Sequence, residues 1–268
     1  MKKFWIKVFI FISVIFSNVL NNLAIADINI NEINKKEDNC INKSTYSYEI
    51  RNCMYDSNKL RRIDIDNYIK KLKIVSNKTE FDYIMKSQNL WQKQIEKDSV
   101  FIYELIYNHP GTIHFDIATA CLRELIISRE EFLKFIYYII SDNNRKEISE
   151  YTKQEKIKSS QVLKKEVEKN FKLLEKAVID IEENNKTQDY DELFINGRKN
   201  SSFKLKDIRE NQTSWTEQNK SDVQLLSYLK QNKKISEEIF EKVQAKLLKT
   251  RTILIQDTYY VYAEKYAD

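Results

Sequence analysis

Few residues of this 268-residue chain have the types and spacing that chemistry requires. The two histidines, His109 and His114, lie five positions apart, with Asp116 and Cys121 close behind. These four residues could bind a metal ion, but zinc sites usually show tighter Cys/His pairing and a fuller ligand set. No Ser/His/Asp arrangement, nucleophile motif or glycine-rich phosphate loop accompanies them. The sequence therefore predicts a protein that is not an enzyme and has no metal site or cofactor.

A second polar signature occurs twice. The segment Gln88–Trp91 has the same ends as Gln212–Trp215, and an arginine inside an apolar helix follows each of them, Arg129 and Arg251. A buried Gln needs partners for its two donors and its carbonyl, and Trp needs one for its indole N–H. We expect each pair to fix how neighbouring helices dock. The alternative is an exposed stacking platform for a sugar or nucleobase.

Arg129 lies one turn after Leu125 in an apolar helix, so at least its stem is predicted to be buried. A buried guanidinium should reach a carboxylate on a neighbouring helix, and we expect an internal ion pair. Its candidate partners are Asp64, Asp66 and Glu96. A catalytic or anion-binding role is the alternative, but no supporting constellation surrounds it.

The first 26 residues have the pattern of a cleaved signal peptide. A basic start precedes an apolar stretch, and Ala24-Ile25-Ala26 offers small residues at the −3 and −1 positions before Asp27. A retained membrane anchor is the alternative, because the apolar stretch nearly suffices to span a bilayer. Its polar interruptions favour cleavage. We expect an exported protein, periplasmic or secreted, without a transmembrane segment after cleavage.

Charge and cysteine content narrow the function classes further. Removing the three signal lysines leaves 42 basic against 40 acidic residues, a net charge of +2. No concentrated basic stripe stands out, so nucleic acid is not an expected partner. The three cysteines, Cys40, Cys53 and Cys121, predict one disulfide and one free thiol in an oxidising compartment.

The elements that position these residues are predicted to be helices. Two Gly and one Pro leave almost no material for sheet turns, and apolar residues recur at steps of three and four. We predict an all-α antiparallel bundle. Its six helices are expected near 44–74, 78–108, 112–142, 150–184, 203–231 and 236–265.

The six helices divide into two sets of three, which predicts an internal repeat. The Gln-x-x-Trp segments match across the second helices of each set, and the two arginines match across the third. We therefore predict a domain at 27–145 and a degenerate copy at 146–268. The alternative is chance similarity between helices rich in Lys, Glu and Leu.

The run from about residue 40 to 135 resembles the LprI-type lysozyme inhibitor domain of exported bacterial proteins. The second half, 150–268, resembles it much more weakly. The chain departs from the family pattern at several positions. Ser99 stands at a family Cys, Ile95-Glu96 at an Arg-Asp pair and Ile126 at a Thr, while Arg62 and Asp66 stand at an Asp and an Asn of the first helix. The matching positions in the first half are Cys40, Cys53, Gln88, Trp91, Gly111, Cys121 and Arg129.

The resemblance implies a non-enzymatic protein that binds and blocks a peptidoglycan-cleaving enzyme, either a host lysozyme or a competitor's muramidase. The turn from His109 to His114 is the segment that could enter such an enzyme's cleft. The missing Cys at 99 leaves either Cys53 or Cys121 unpaired, and we favour a Cys40–Cys53 disulfide. A structural or scaffolding helical protein of the cell envelope is the alternative function.

Overall fold

The structure is a computed structural model that describes residues 30–107, 112–141, 148–149, 151–152, 158–187 and 204–264. These residues form seven helices and contain no strand. A short π-helical turn, Tyr103–Tyr107, extends the third helix. The helices are α1 Ile30–Ile41, α2 Ser47–Val75, α3 Lys78–Ile102, α4 Thr112–Ser141, α5 Ser160–Thr187, α6 Leu205–Gln231 and α7 Glu237–Glu264.

The all-α prediction is confirmed, and the six predicted helices correspond to α2 through α7. The fourth predicted helix, 150–184, begins later than expected, because residues 158–159 are not helical and α5 starts at Ser160. Their starts follow from local chemistry. The Asn77 side chain accepts from the backbone N–H of Glu80, whose carboxylate accepts in return from the Asn77 N–H. Before α7, Ser236 accepts from the N–H of Ile239, while Ile235 and Phe240 are both buried.

Helix α1 was not predicted. Its inner face carries two isoleucines, Ile30 and Ile33, and then Glu37, all of them buried. A helix whose third inward position is a carboxylate does not show the apolar periodicity that identifies the others. Glu37 is buried because two arginines of the bundle bind it, as described below.

Ion pairs define how the helices run. Arg51 binds Asp116 at 2.7 Å and Arg61 binds Glu130 at 2.7 Å, so α2 and α4 run parallel. Helix α5 packs against α7, and α2 packs against α4. Helices α3 and α6 are antiparallel neighbours, as are α4 and α7. None of the described helices has the length and apolar content needed to cross a bilayer.

Two hydrophobic clusters form the interior, and both draw on the two halves of the sequence. One cluster combines Phe132 of α4 with Leu225 of α6, and the other combines Phe101 of α3 with Ile255 of α7. The predicted boundary near residue 145 falls outside the described residues, and the division into domains remains a prediction.

The cysteines are arranged as favoured above. Cys40 and Cys53 lie at disulfide-bonding distance, with their Cα atoms 5.7 Å apart, and connect α1 to α2. Cys121 is buried in α4 beside the Asp257 carboxylate of α7, with 3.9 Å between Sγ and Oδ2. Burial, reinforced by the negative charge of Asp257, raises the pKa of the Cys121 thiol to about 12. A thiol with this pKa is not a reactive nucleophile.

We expect no rapid thiol reaction with Ellman's reagent in the native protein. One thiol should react in denaturant without reductant, and three should react after reduction. Three reactive thiols without reductant would contradict the pairing. Opening the loop with Cys40→Ser and Cys53→Ser should lower the free energy of unfolding by about 3 kcal/mol, measured by chemical denaturation.

Candidate functional site

Arg129 of α4 is the centre of a buried polar network. Its Nε donates to Oε1 of Gln88 at 2.9 Å, and its Nη2 donates to Oγ of Ser87 at 2.9 Å. Its Nη1 donates to Oδ1 of Asp222 at 3.1 Å. The Ser87 hydroxyl donates in turn to Asp222. Arg129 thus joins α4 to α3 of its own half and to α6 of the other half.

Arg251 of α7 forms the counterpart. Its Nη2 donates to Oδ1 of Asn211 at 2.6 Å and to Oε1 of Gln212 at 2.9 Å. Its Nη1 donates to Oδ1 of Asp98 at 2.8 Å, and the Asn211 amide donates to the same oxygen at 3.0 Å. We call these two networks the Arg129 clamp and the Arg251 clamp. Each takes its carboxylate from the opposite half of the chain.

The residues predicted from the repeated signature are Gln88, Trp91 and Arg129 with their counterparts Gln212, Trp215 and Arg251, and the structure brings each trio together. The guanidinium carbon of Arg129 lies 5.7 Å from the Trp91 ring centre, and that of Arg251 lies 5.3 Å from the Trp215 ring centre. Trp91 is buried and Trp215 half-buried. These rings therefore pack inside the bundle, and the Gln–Trp pairs contribute to docking between helices.

The predicted partners of Arg129 are wrong. Asp66 and Glu96 are exposed, and Asp64 lies beside Glu130 in a different cluster. The true partner, Asp222, is 93 positions away in sequence. A signal for it exists, because Asp222 follows Gln212 at the same spacing as Asp98 follows Gln88.

The full signature is Gln-x-x-Trp-x-x-Gln-x-x-x-Asp in both helices. The third member of each copy, Gln94 or Gln218, donates its amide to the aspartate one turn further on. Equivalent positions of α3 and α6 differ by 124 (212 minus 88), and those of α4 and α7 by 122 (251 minus 129). The predicted signature contained only its Gln and Trp. It therefore missed four residues of the repeat, Gln94, Asp98, Gln218 and Asp222.

A small crevice separates the two clamps. Apart from Asn219, its walls come in equivalent pairs from the two halves, and its volume is about 40 Å³. The amide nitrogen of Gln94 donates to Asp98. The Oε1 of the same side chain is buried in the crevice without a hydrogen-bond partner. The crevice has little more space than a water molecule occupies, which is too small for a cofactor or substrate. Its lining includes Trp91, Gln94, Asp98, Ser128, Arg129, Trp215, Gln218, Asp222, Thr250 and Arg251.

Electrostatics make the Arg129 clamp costly to break. Burial raises the pKa of the Asp222 carboxyl, against the effect of Arg129 and of hydrogen bonds from Ser87 and Gln218. Burial lowers the pKa of Arg129, against the effect of Asp222. Each group therefore offsets part of the desolvation cost of the other, and removing either one leaves its partner buried and unpaired.

A second buried cluster lies under α1. Arg61 Nη1 donates to Glu130 Oε2 at 2.7 Å, and its Nη2 donates to Glu37 Oε2 at 3.0 Å. Arg123 of α4 also donates to Glu37, from Nη2 at 3.1 Å and from Nε. Two arginines and the disulfide thus hold α1 on the bundle. In the other half, Thr252 stands where Glu130 stands and donates to a backbone carbonyl.

The predicted loop is described only at its end. His109 and Gly111 lie outside the described residues, and His114 is half-buried in the first turn of α4. No group of three or more His, Cys, Asp or Glu side chains within the described ranges is arranged to hold a metal ion. A role for His109 and His114 in inhibition therefore remains a prediction.

Exposed aromatic side chains lie at this end of the bundle. Tyr46 and Tyr48, 60% and 54% exposed, stack with ring centres 5.8 Å apart at the start of α2. Tyr55 follows two turns later on the same helix and is 60% exposed. The Arg51–Asp116 ion pair holds the start of α2 against the start of α4, close to Ile113, which is 64% exposed. We call these four residues, Tyr46, Tyr48, Tyr55 and Ile113, the tyrosine face.

A larger groove of about 580 Å³ lies on the outer surface of α3 and α6. Lysines and carboxylates share its lining, as is usual for solvated helix faces. This mixed composition does not indicate a ligand class. Its lining is Lys93, Glu96, Lys97, Val100, Glu104, Asp207, Glu210 and Asn211.

Comparison of the chain with protein-family models, with curated proteins and with solved structures finds no match.

Replacing Arg129 with Ala should lower the free energy of unfolding by about 3–5 kcal/mol, because it leaves the Asp222 carboxylate buried and unpaired. Urea denaturation measures the loss. Lys242→Ala, which removes an exposed pair with Glu238, is the matched control and should cost less than about 0.5 kcal/mol. A loss below about 1 kcal/mol for Arg129→Ala would contradict the role of the clamp.

The cluster under α1 should make stability depend on pH. Burial raises the pKa of Glu130 from 4.5 to about 7, with Asp64 adding to the shift and Arg61 opposing it. A folded-state pKa above the unfolded value means that protonation stabilises the fold. The contribution of protonated Glu130 to the free energy of unfolding is complete below pH 4.5 and is lost as pH rises through 7.

Between pH 5 and 8 the wild type should therefore lose roughly 1–3 kcal/mol more stability than Glu130→Gln, which stays neutral throughout. Denaturation curves at the two pH values provide the comparison. Glu217→Gln, a change at an exposed position of α6 outside this cluster, should leave the pH dependence of the wild type unchanged. Equal slopes for wild type and Glu130→Gln would refute the assignment.

Proposed function

We propose that this chain is an exported, non-enzymatic binding protein that protects the cell wall by blocking a peptidoglycan-cleaving enzyme. The target is a host lysozyme or a competitor's muramidase. The observation that carries the proposal is the tyrosine face, which lies at the same end of the bundle as the end of the His109–His114 turn. The resemblance of residues 40–135 to lysozyme inhibitors supplies the class of target.

The interior supports a non-enzymatic role. The polar residues that could have formed an active site bind one another, since each arginine clamp is matched by a carboxylate and by amide or hydroxyl acceptors. The crevice between them is too small for a substrate. What such an interior supplies is a rigid helical frame.

The surface supports protein recognition. Tyrosine is among the residues that contribute most to protein–protein binding, because its ring buries a large apolar area while its hydroxyl still forms hydrogen bonds. Tyr46, Tyr48 and Tyr55 expose more than half of their surface at one end of α2. The Cys40–Cys53 bond and the Arg51–Asp116 ion pair hold this region in place before any partner arrives.

Inhibition also has a chemical requirement. Lysozyme works with one protonated and one ionised carboxyl group in a cleft. A blocking segment has to enter the cleft and present hydrogen-bond donors to both groups. The turn that contains His109 and His114 is the proposed segment, and the tyrosine face would contact the rim of the cleft.

The second candidate is a scaffolding protein of the cell envelope. The two buried clamps favour a scaffolding role, since they make the helical bundle rigid and contribute to no recognisable catalytic step. The net charge of +2 after signal removal also gives little electrostatic steering toward a basic lysozyme.

Titrating lysozyme with the purified mature protein should lower lytic activity in proportion to dose. Tyr46→Ser with Tyr48→Ser should weaken inhibition at least about tenfold, the loss expected from a binding hot spot. His109→Ala with His114→Ala should weaken it as well.

Ile74→Ser is the matched control. Ile74 is 75% exposed on the same helix, ~39 Å along its axis from Tyr48, so inhibition should be unchanged. No inhibition at excess protein, with no muramidase co-purifying from the producing cell, would overturn the inhibitor proposal and leave the scaffold.

A further inference from the structure

We propose that the chain is a fused homodimer. In this proposal, α2–α4 and α5–α7 are two copies of one three-helix module. The surface buried between them is then self-complementary, and the partner it fits is a second copy of the same module. The inference concerns the interface between the halves and does not depend on the proposed activity.

A two-fold symmetric interface requires reciprocal contacts, and the contacts between the two halves are reciprocal. In a two-fold interface, if residue i of one subunit contacts residue j of the other, residue j of the first must contact residue i of the second. Arg129 of the first half binds Asp222 of the second, and Arg251 of the second binds Asp98 of the first. Arg251 is equivalent to Arg129 at an offset of 122, and Asp222 is equivalent to Asp98 at an offset of 124. The two ion pairs are therefore the same contact, formed once in each direction.

The surrounding bonds repeat as well. Ser87 accepts from Arg129 and donates to Asp222, and Asn211 accepts from Arg251 and donates to Asp98. The remaining members of the signature repeat at the same offsets. Gln88 and Gln212 hold the arginines, and Gln94 and Gln218 donate to the aspartates.

The axis itself can be located. A residue that contacts its own equivalent must lie on the two-fold axis. Ser128 and Thr250 are equivalent at an offset of 122, and their hydroxyl oxygens are 3.3 Å apart. They also line the central crevice, whose walls, apart from Asn219, come in equivalent pairs. The antiparallel pairs α3 with α6 and α4 with α7 are what an axis perpendicular to the helices produces.

The halves differ in what lies away from the axis. The cluster of Arg61, Arg123 and Glu130 under α1, with its disulfide, belongs to the first half. The tyrosine face belongs to the same half. The differences between the halves therefore lie away from the axis, while the interface keeps its symmetric contacts.

The test exchanges equivalent residues between the halves of the full chain. In the double variant Ser87→Asn with Asn211→Ser, the amide introduced at position 87 should bridge Arg129 and Asp222. The hydroxyl introduced at position 211 should bridge Arg251 and Asp98. The melting temperature should stay within about 3 °C of the wild type. Ser128→Thr with Thr250→Ser, the exchange on the axis, should be tolerated to the same degree.

Ser87→Ala with Asn211→Ala is the control, because it removes the same bridging groups without replacing them. It should lower the melting temperature by at least about 8 °C. If the Ser/Asn exchange is as damaging as the alanine pair, or does not fold, the two environments are not equivalent and the proposal is overturned.

Double-mutant cycles provide an independent measurement. The coupling between Arg129 and Asp222 should equal that between Arg251 and Asp98 within about 0.5 kcal/mol, or roughly twofold in the equilibrium constant. Strongly unequal couplings would also overturn the proposal. Lysozyme inhibition is measured separately, so the failure of either proposal can be distinguished from failure of the other.

Discussion

A guanidinium taken out of water is tolerated only where acceptors surround it and a carboxylate balances its charge. Arg129 and Arg251 meet this requirement at the centre of the bundle, and each of them does so with an aspartate from the other half of the chain. Apolar packing between α3 and α6 would allow many registers, since helical side chains interdigitate in several ways. The two crossed ion pairs select one register for α3, α4, α6 and α7.

The helix limits and the class of fold could be predicted from sequence because their causes are local. Asn77 caps α3, Ser236 caps α7, and the apolar stripes repeat at helical spacing. The partner of Arg129 could not be predicted in the same way. It depends on the register between helices that lie far apart in the chain. Helix α1 was missed for a related reason, since its inward Glu37 is explained only by arginines of α2 and α4.

Interior and surface therefore have separate roles. The residues with the strongest sequence signature, the Gln, Trp and Arg of each half, bind one another inside the bundle. The residues that favour a partner have no sequence signature, because exposed tyrosines on a polar helix resemble any others until their neighbours are known. The sequence pattern identified the buried residues that hold the helices together. The tyrosine face was identified only from the positions of its residues in the structure.

The crossed arrangement also constrains the order of events during folding. When residues 30–141 have been synthesised, Asp222 and Arg251 are still to come. A first half that collapsed alone would bury Arg129 and Asp98 without their partners, at a cost comparable to the total stability of a small domain. Stepwise folding from the N-terminus is therefore disfavoured. We therefore expect the two halves to reach the native state together, once α7 is available to complete both ion pairs.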